Sequence, residues 1–180
     1  MFPRIRQFAL LACGVAAFGT SGLYARAHAA DTAAGNLLGT DGAPHGNVQV
    51  TAAPHGVLLR ITAQGLTPGW HGIHFHEKGS CEAPKFTSAG AHVHATTPVV
   101  HGLLNADAND AGDLPNLFVG RDGKATVEMY STLMTLNGTD GHPAVLDADG
   151  TSLVIHAKPD DYHSQPIGGA GDRVACAVLR

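Results

Sequence analysis

Trp70-His71-Gly72-Ile73-His74-Phe75-His76-Glu77 is the stretch from which the rest of the chain is best read. Its composition is that of a strand, and in a strand residues two apart project from the same face. His74 and His76 therefore stand side by side, a spacing that supports two imidazole ligands to one ion. Alone, a His-x-His pair is weak evidence, because many such pairs are surface or core residues without a metal. The chain then adds His92, His94, His101 and one cysteine, Cys81, before residue 102.

Upstream, the sequence reads as strands separated by turns. Asn36-Leu37-Leu38 runs into the turn Gly39-Thr40-Asp41-Gly42, and Asn47-Val48-Gln49-Val50-Thr51 alternates polar and apolar as a half-buried strand does. Pro54-His55-Gly56 turns the chain into Val57-Leu58-Leu59-Arg60-Ile61-Thr62-Ala63, and Leu66-Thr67-Pro68-Gly69 turns it again. Downstream of the quoted stretch, Lys78 to Leu117 has almost no period. A loop of about 40 residues in a compact domain is normally functional or disordered. Its histidines, cysteine and aspartates argue for an ordered, metal-stapled loop.

Leu117-Phe118-Val119, Ala125 to Tyr130, Ser152 to His156 and Val174 to Leu179 read as further strands, and Lys158 to Asp172 as a second long loop. The whole predicts an all-β fold, an eight-stranded antiparallel Greek-key β-sandwich or barrel with two long functional loops. The composition agrees: 180 residues suit one domain, and 23 Gly and 10 Pro with only 14% charged residues favour short strands and turns over long helices. The domain is expected over residues 36–180, preceded by a flexible tail at 30–35. No repeat or second domain is evident.

Residues 1–29 read as a cleaved signal peptide. Arg4 and Arg6 give a basic start, Phe8 to Leu23 is uncharged and rich in apolar and small residues, and Ala27-His28-Ala29 is a small-x-small cleavage signal. A membrane anchor is the alternative, but spanning needs about 20 mostly apolar residues. A lipoprotein using Cys13 would need a longer apolar run before it. Export implies an oxidising compartment, where the two remaining cysteines, Cys81 and Cys176, are expected to form one disulfide, two free buried thiols being the alternative. Closing a loop of about 95 residues is worth roughly 4–5 kcal/mol in the chain-entropy account. Losing Arg4, Arg6 and Arg26 with the leader takes the formal charge from −4 to −7. An acidic surface without a basic run argues against nucleic acid or an anionic membrane as partner.

Two candidate ligand sets emerge. His156, added to the histidines of the quoted strand and loop, gives four nitrogens for one ion, and all-nitrogen tetragonal sites favour Cu(II). His92, His101, Asp110 and Asp113 give a mixed nitrogen and oxygen set suited to Zn.

Here the sequence resembles a known family. Gly72 to Glu77, Ser88-Ala89-Gly90-Ala91-His92, His101-Gly102, Ala111-Gly112-Asp113-Leu114-Pro115-Asn116, Val154 to Asp161 and Gly171 to Cys176 are similar to copper–zinc superoxide dismutases of the bacterial exported type, in the expected order across residues 36 to 180. The resemblance implies that His74, His76, His92 and His156 bind copper, with His92 bridging to a zinc held by His101, Asp110 and Asp113. It implies that Cys81 and Cys176 form the family disulfide. Arg173 would sit beside copper and attract the anionic substrate, superoxide, and Asp160 would accept hydrogen bonds from the free ring nitrogens of His74 and His101. His92 would also have a catalytic role in moving protons. Copper and zinc are the implied cofactors, a homodimer is a possible assembly, and the implied location is the periplasm, full secretion not being distinguished.

One position departs from the pattern: the family has a histidine three residues before the zinc aspartate, and here that residue is Asp110. A carboxylate can bind zinc, so a two-His, two-Asp site is expected, with His94 a substitute ligand or an exposed loop residue. Lys78 and Lys85 are candidates for steering an anion to the site. His45, His55, His71, His142 and His163 are expected at the surface, and Trp70 in packing at a strand edge. A copper-binding or copper-delivery protein on the same scaffold, without turnover, is the competing function. A zinc hydrolase is the third, disfavoured by the lack of a positioned general base.

Overall fold

The computed structural model describes residues 31–180, so the signal peptide expected at 1–29, and Cys13 within it, lie outside the described residues. Alternation along the chain becomes alternation of burial. In β3 (Gly56–Ala63) Val57, Leu59, Ile61 and Ala63 point into the core while Leu58 and Arg60 point out. On that outer face Arg60 pairs across the ladder with Glu128 of β7 (Ala125–Ser131), Nε to Oε1 2.9 Å. An exposed cross-strand pair of this kind adds a fraction of a kcal/mol, roughly 0.2–1. Burial of the apolar face carries the fold, at about 25 cal/mol for each Å² removed from water.

The other strands are β1 (Thr32–Gly39), β2 (Pro44–Ala53), β4 (Gly69–His71), β5 (Ile73–His76), β6 (Leu117–Val119), β8 (Thr151–His156) and β9 (Arg173–Leu179). Seven form one antiparallel sheet in the order β5-β8-β9-β1-β2-β3-β7, and β4 pairs with β6 in a two-stranded ribbon. β3 pairs with β7 and β8 crosses back to lie between β5 and β9, so chain-distant strands become neighbours as a Greek-key sheet requires. Among the described residues no helix is long and apolar enough to cross a membrane, and the only helical piece is a 3₁₀ turn at Thr87–Ala89.

Two expectations are corrected. The strand read as Trp70 to Glu77 is two strands, giving nine in place of eight among the described residues. At Gly72 the chain changes partners: His71 faces Leu117 of β6, whereas Ile73 faces Ile155 of β8. Gly72 itself donates to Lys158 O and accepts from His156 N, both at 2.8 Å. The flexible tail expected at 30–35 is ladder from Thr32 onward, because Thr32 to Gly35 face Thr51 to Val48 of β2 and Ala34 exchanges hydrogen bonds with Arg180 at 2.8 and 3.1 Å. Small residues without an apolar run hid this strand, whose inward positions are Ala33 and Leu37.

The two long loops are present as expected. They cover one face of β5 and β8, which is why these strands are buried on both faces. Ile73, Phe75, Leu153 and Ile155 join the main core, while His74, His76 and His156 turn to the loop side. Cys81 and Cys176 are bonded, with Cα atoms 5.7 Å apart, and Cys176 packs with Phe86, Ala89 and Val154 in a small second cluster. The disulfide thus ties the first long loop to the last strand.

Candidate metal centre

The free edge of β5 organises the site. Loop residues 91–93 and 110–113 lie along it: Glu77 N donates to Ala91 O (2.9 Å), Val93 N to Phe75 O (3.0 Å), and Phe75 N to Gly112 O (2.9 Å). Gly112 permits this approach, since a Cβ there would collide with Phe75 O. His92 is thereby set opposite His76, and Asp113 opposite His74. From the other side, the register of β8 and β9 shifts between Ile155 and His156, which leaves His156 opposite Arg173. Irregularities of this type re-aim side chains at functional sites.

Each of the four rings is held through one nitrogen. His74 Nε2 pairs with Asp160 Oδ2 at 2.9 Å, and His92 Nδ1 with Asp110 Oδ2 at 2.7 Å. His76 Nδ1 donates to Gly90 O and His156 Nδ1 to Gly171 O, both at 3.0 Å. The opposite nitrogens, His74 Nδ1, His76 Nε2, His92 Nε2 and His156 Nε2, are buried and have no hydrogen-bond partner among the described residues. His74, His76, His92 and His156 each offer a ligand atom within 4.8 Å of the others. Buried polar atoms are nearly always satisfied, so four convergent orphans fit an ion. Bonds of about 2 Å place donors on one ion no more than about 4 Å apart, a separation within that limit.

Burial also keeps His74, His76 and His156 neutral. It lowers His74 to about 3 against the pull of Asp160, His76 to about 2 with further opposition from His92 and Arg173, and His156 to about 4. Neutral imidazole is the form that binds metal.

On the far side of His92 the donors are mixed. Asp110 Oδ2 reaches both His92 Nδ1 (2.7 Å) and His101 Nδ1 (3.3 Å). Asp113 Oδ1 lies 2.6 Å from His101 Nδ1 and 3.8 Å from His92 Nδ1, yet it makes no aligned hydrogen bond. These separations bracket the edge of a zinc tetrahedron, roughly 3.3 Å for 2 Å bonds, so the residues fit that ion. His74 also falls within 4.8 Å of His92, His101 and Asp113, but its Nε2 is engaged by Asp160 and its Nδ1 is one of the four orphans. Asp110 Oδ2 is the other carboxylate oxygen within reach of both His92 and His101.

Burial opposes charge on His101, but Asp110, Asp113 and Asp160 outweigh it and push the ring up to about 11. Burial likewise works against the Asp110 charge, and hydrogen bonds from His101 and His92 still hold it well below the usual carboxylate range. Asp113 is pushed up by burial and by the neighbouring Asp110 charge.

Asp160 joins the two sets. Its Oδ2 meets His74 and its Oδ1 meets His101 Nε2 at 3.1 Å. Gly168, with φ of +59°, is required beside it, because a Cβ there would strike Asp160 Oδ1. The half-buried Arg173 donates from Nη1 to Phe86 O and from Nη2 to Gly90 O, both at 2.6 Å. It therefore shares the Gly90 carbonyl with His76.

Other expectations fare variously. His94 donates to its neighbour's carbonyl, His92 O, at 2.9 Å and joins neither set. His55, His142 and His163 are exposed, as expected. His45 is only partly exposed and lies 3.3 Å from Asp41. His71 is buried rather than superficial, its ring facing His156 O (2.6 Å) and Thr67 O (2.8 Å). Trp70, 56% exposed, packs edge-on against Phe118 of the neighbouring strand at 4.9 Å, as expected of a residue at a strand edge. Lys85 is exposed beside Phe86, whose carbonyl holds Arg173. Lys78 is exposed in a hollow it shares with Glu77, Asp147 and Asp149. Sequence reasoning missed Asn116 and Gln165, which bond the main chain beside this centre.

An all-β sheet with an imidazole cluster and an adjoining histidine–carboxylate cluster defines a metalloprotein of the dismutase class, and comparison agrees. The sequence profile described as copper/zinc superoxide dismutase (SODC) matches residues 44–179, and the chain belongs to that family. It is 64% identical over 140 residues to a Cu-Zn superoxide dismutase of Caulobacter vibrioides (78% of this chain, 80% of that one) and 38% identical over 145 residues to one of Aquifex aeolicus (80% and 84%). Among solved structures, a SOD-like protein from Bacillus subtilis superposes with a TM-score of 0.76 at 36% identity (82% of this chain, 97% of that one). The Cu/Zn superoxide dismutase from Brucella abortus gives 0.66 at 26% identity (83% and 99%).

Proposed function

We propose that this protein is an exported enzyme that converts two superoxide anions and two protons to dioxygen and hydrogen peroxide. The observation that carries this reading is the set of four buried, unpartnered imidazole nitrogens facing one point, with a guanidinium alongside. His74, His76, His92 and His156 would hold copper, and His92, His101, Asp110 and Asp113 would hold zinc. Bound copper would supply the one-electron chemistry, accepting an electron from one superoxide and returning it to the next.

The chain's own groups do the rest. Arg173 is fixed by two carbonyls, so its charge would meet an incoming anion without reorganising, which is the condition for electrostatic catalysis. His92 has one nitrogen toward each set, Nδ1 on Asp110 and a bare Nε2, which supports a role for it in proton movement during turnover. Asp160 holds His74 and His101 in orientation, and such carboxylate partners fix ligand geometry. At physiological salt, charges more than about 8 Å away are largely screened. Local cations therefore outweigh the acidic surface.

Copper and zinc content and superoxide turnover measured on the same purified sample test the proposal. Stoichiometric copper with turnover supports it. Stoichiometric copper without turnover replaces it by a copper carrier on the same scaffold, a reading Arg173 argues against because a carrier has no use for an anion site. The leader at residues 1–29 supports export to the periplasm, tested by fractionation and N-terminal sequencing.

A further inference from the structure

We propose that Asn116 and Gln165 are positioning residues of the metal centre, two side-chain amides that each close a reciprocal pair of hydrogen bonds on the main chain of the opposite long loop. The inference rests on the metal reading above. Asn116 ends the first long loop; its Nδ2 donates to Asp160 O and its Oδ1 accepts from Asp160 N, both at 2.9 Å. Gln165 belongs to the second loop; its Oε1 accepts from His101 N at 2.9 Å and its Nε2 donates to His101 O at 2.8 Å. A carboxamide carries the same donor and acceptor as a peptide group, so each acts as a one-residue strand.

The clipped residues are the two whose side chains meet, His101 Nε2 and Asp160 Oδ1 at 3.1 Å. Neither stands in a strand, so no ladder supplies partners for their main-chain groups, and buried peptide groups must find them elsewhere. Further bonds brace the arrangement. Asn116 N donates to Tyr162 Oη at 2.7 Å, Tyr162 N to Asp160 Oδ1 at 2.6 Å, and Gln165 Nε2 also to His163 O at 3.0 Å. Through Asp160 Oδ2 the Asn116 clip reaches His74 and the all-imidazole set. The Gln165 clip acts on His101 and hence on the carboxylate set.

The two clips therefore differ in reach, and isosteric substitutions read the difference. Asn116→Asp and Gln165→Glu keep the acceptor but turn the donor into a second acceptor against a carbonyl oxygen. Protein reconstituted with copper and zinc is transferred to excess EDTA, and release of each metal is followed together with the visible absorption band of Cu(II). Outer partners of metal ligands typically cost 10–100-fold when removed, and a group one step further out belongs at the lower end. Asn116→Asp is expected to release both metals about 10-fold faster and to shift the Cu(II) band. Gln165→Glu is expected to accelerate zinc by a similar factor while copper stays within twofold.

Because Asn116 acts through Asp160, the double variant with Asp160→Asn should release metal no faster than Asp160→Asn alone. A merely structural clip would lower the unfolding temperature, leave the band unmoved and multiply with Asp160→Asn. Unchanged release within twofold in both variants, or full multiplication in the double variant, overturns the proposal. Should Asn116→Asp not fold, Asn116→Ser, which retains a short donor and acceptor, serves in its place under the same criteria. Wild-type protein that takes up no copper overturns the metal reading itself, whereas copper-loaded wild type with unaffected variants overturns only the clips.

Discussion

The two sides of His92 are built from the same kinds of ring and solve burial in opposite ways. On the side shared with His74, His76 and His156 the rings are neutral and their inner nitrogens unpartnered. On the side shared with His101, Asp110 and Asp113, nitrogens and carboxylates already answer one another at 2.6 to 3.3 Å. The first side stores its unsatisfied groups because the strands and loops around it leave the rings no alternative. The second is an internally paired cluster, so an ion there must displace a proton and compete with hydrogen bonds already made. A metal should therefore find the first side prepared and the second in need of rearrangement.

The largest effect should come from breaking the unsatisfied side. His156→Ala is expected to remove copper and lower turnover by on the order of 100-fold or more, beyond the 10–100-fold typical of an outer partner, while zinc content survives. His101→Ala should do the reverse, losing zinc with copper retained. Equal loss of both metals in both variants would erase the distinction. Next in size is Asp110→His, which removes one of two facing carboxylates and lengthens the donor. Zinc affinity should rise about 10-fold, measured by competition with a chromophoric chelator, and no gain would mean that Asp110 already suits the ion.

Proton release sharpens the same contrast. His101, pushed up to about 11, is protonated at pH 7 and must lose its proton to bind an ion, whereas His74, His76 and His156 have none to lose. Calorimetry of metal-free protein in buffers of different ionisation heat should show about one proton released with zinc and close to none with copper.

The stability of the metal-free protein should follow the same signs. His74, His76 and His156 are lowered in the fold, so the unfolded chain takes up protons first, and acid from pH 6.5 toward 4 favours unfolding. Each would cost about 2 kcal/mol at pH 5. His101 is raised, so its contribution is complete below pH 6.5 and fades as pH climbs toward 11. Urea unfolding between pH 4 and 9 should therefore show a maximum near neutrality, and a flat profile would refute the assignment of charge. The smallest effect is at the surface: Lys85→Glu should slow turnover about twofold at low salt and weaken its salt dependence. An unchanged rate would remove Lys85 from the approach path.

Much of this was legible along the chain. Period-two alternation at 47–51, 57–63 and 125–130 marks strands because one face of each is wet and the other dry. β1 was legible only in its second half, since Thr32-Ala33-Ala34-Gly35 carries almost no apolar contrast and is strand because β2 and Arg180 flank it. The break at Gly72 could not be read locally either, because it reflects a change of neighbour. His71 looked like a surface residue for want of a motif, while its ring is sealed between two carbonyls contributed by Thr67 and by His156, 85 residues further on.

What the sequence determined by itself was a list of donors and their local parity: His74 and His76 on one face, a ligand-rich loop, a cysteine pair and a carboxylate where a histidine was expected. Tertiary structure alone decided which nitrogen of each ring stays bare, that Asp110 and Asp113 press upon the same imidazoles, and that Asn116 and Gln165 lock the loops together. The reason is physical. Side-chain type and direction along a strand are local properties of the chain, but burial, charge and hydrogen-bond satisfaction depend on what distant segments bring to the same few ångströms.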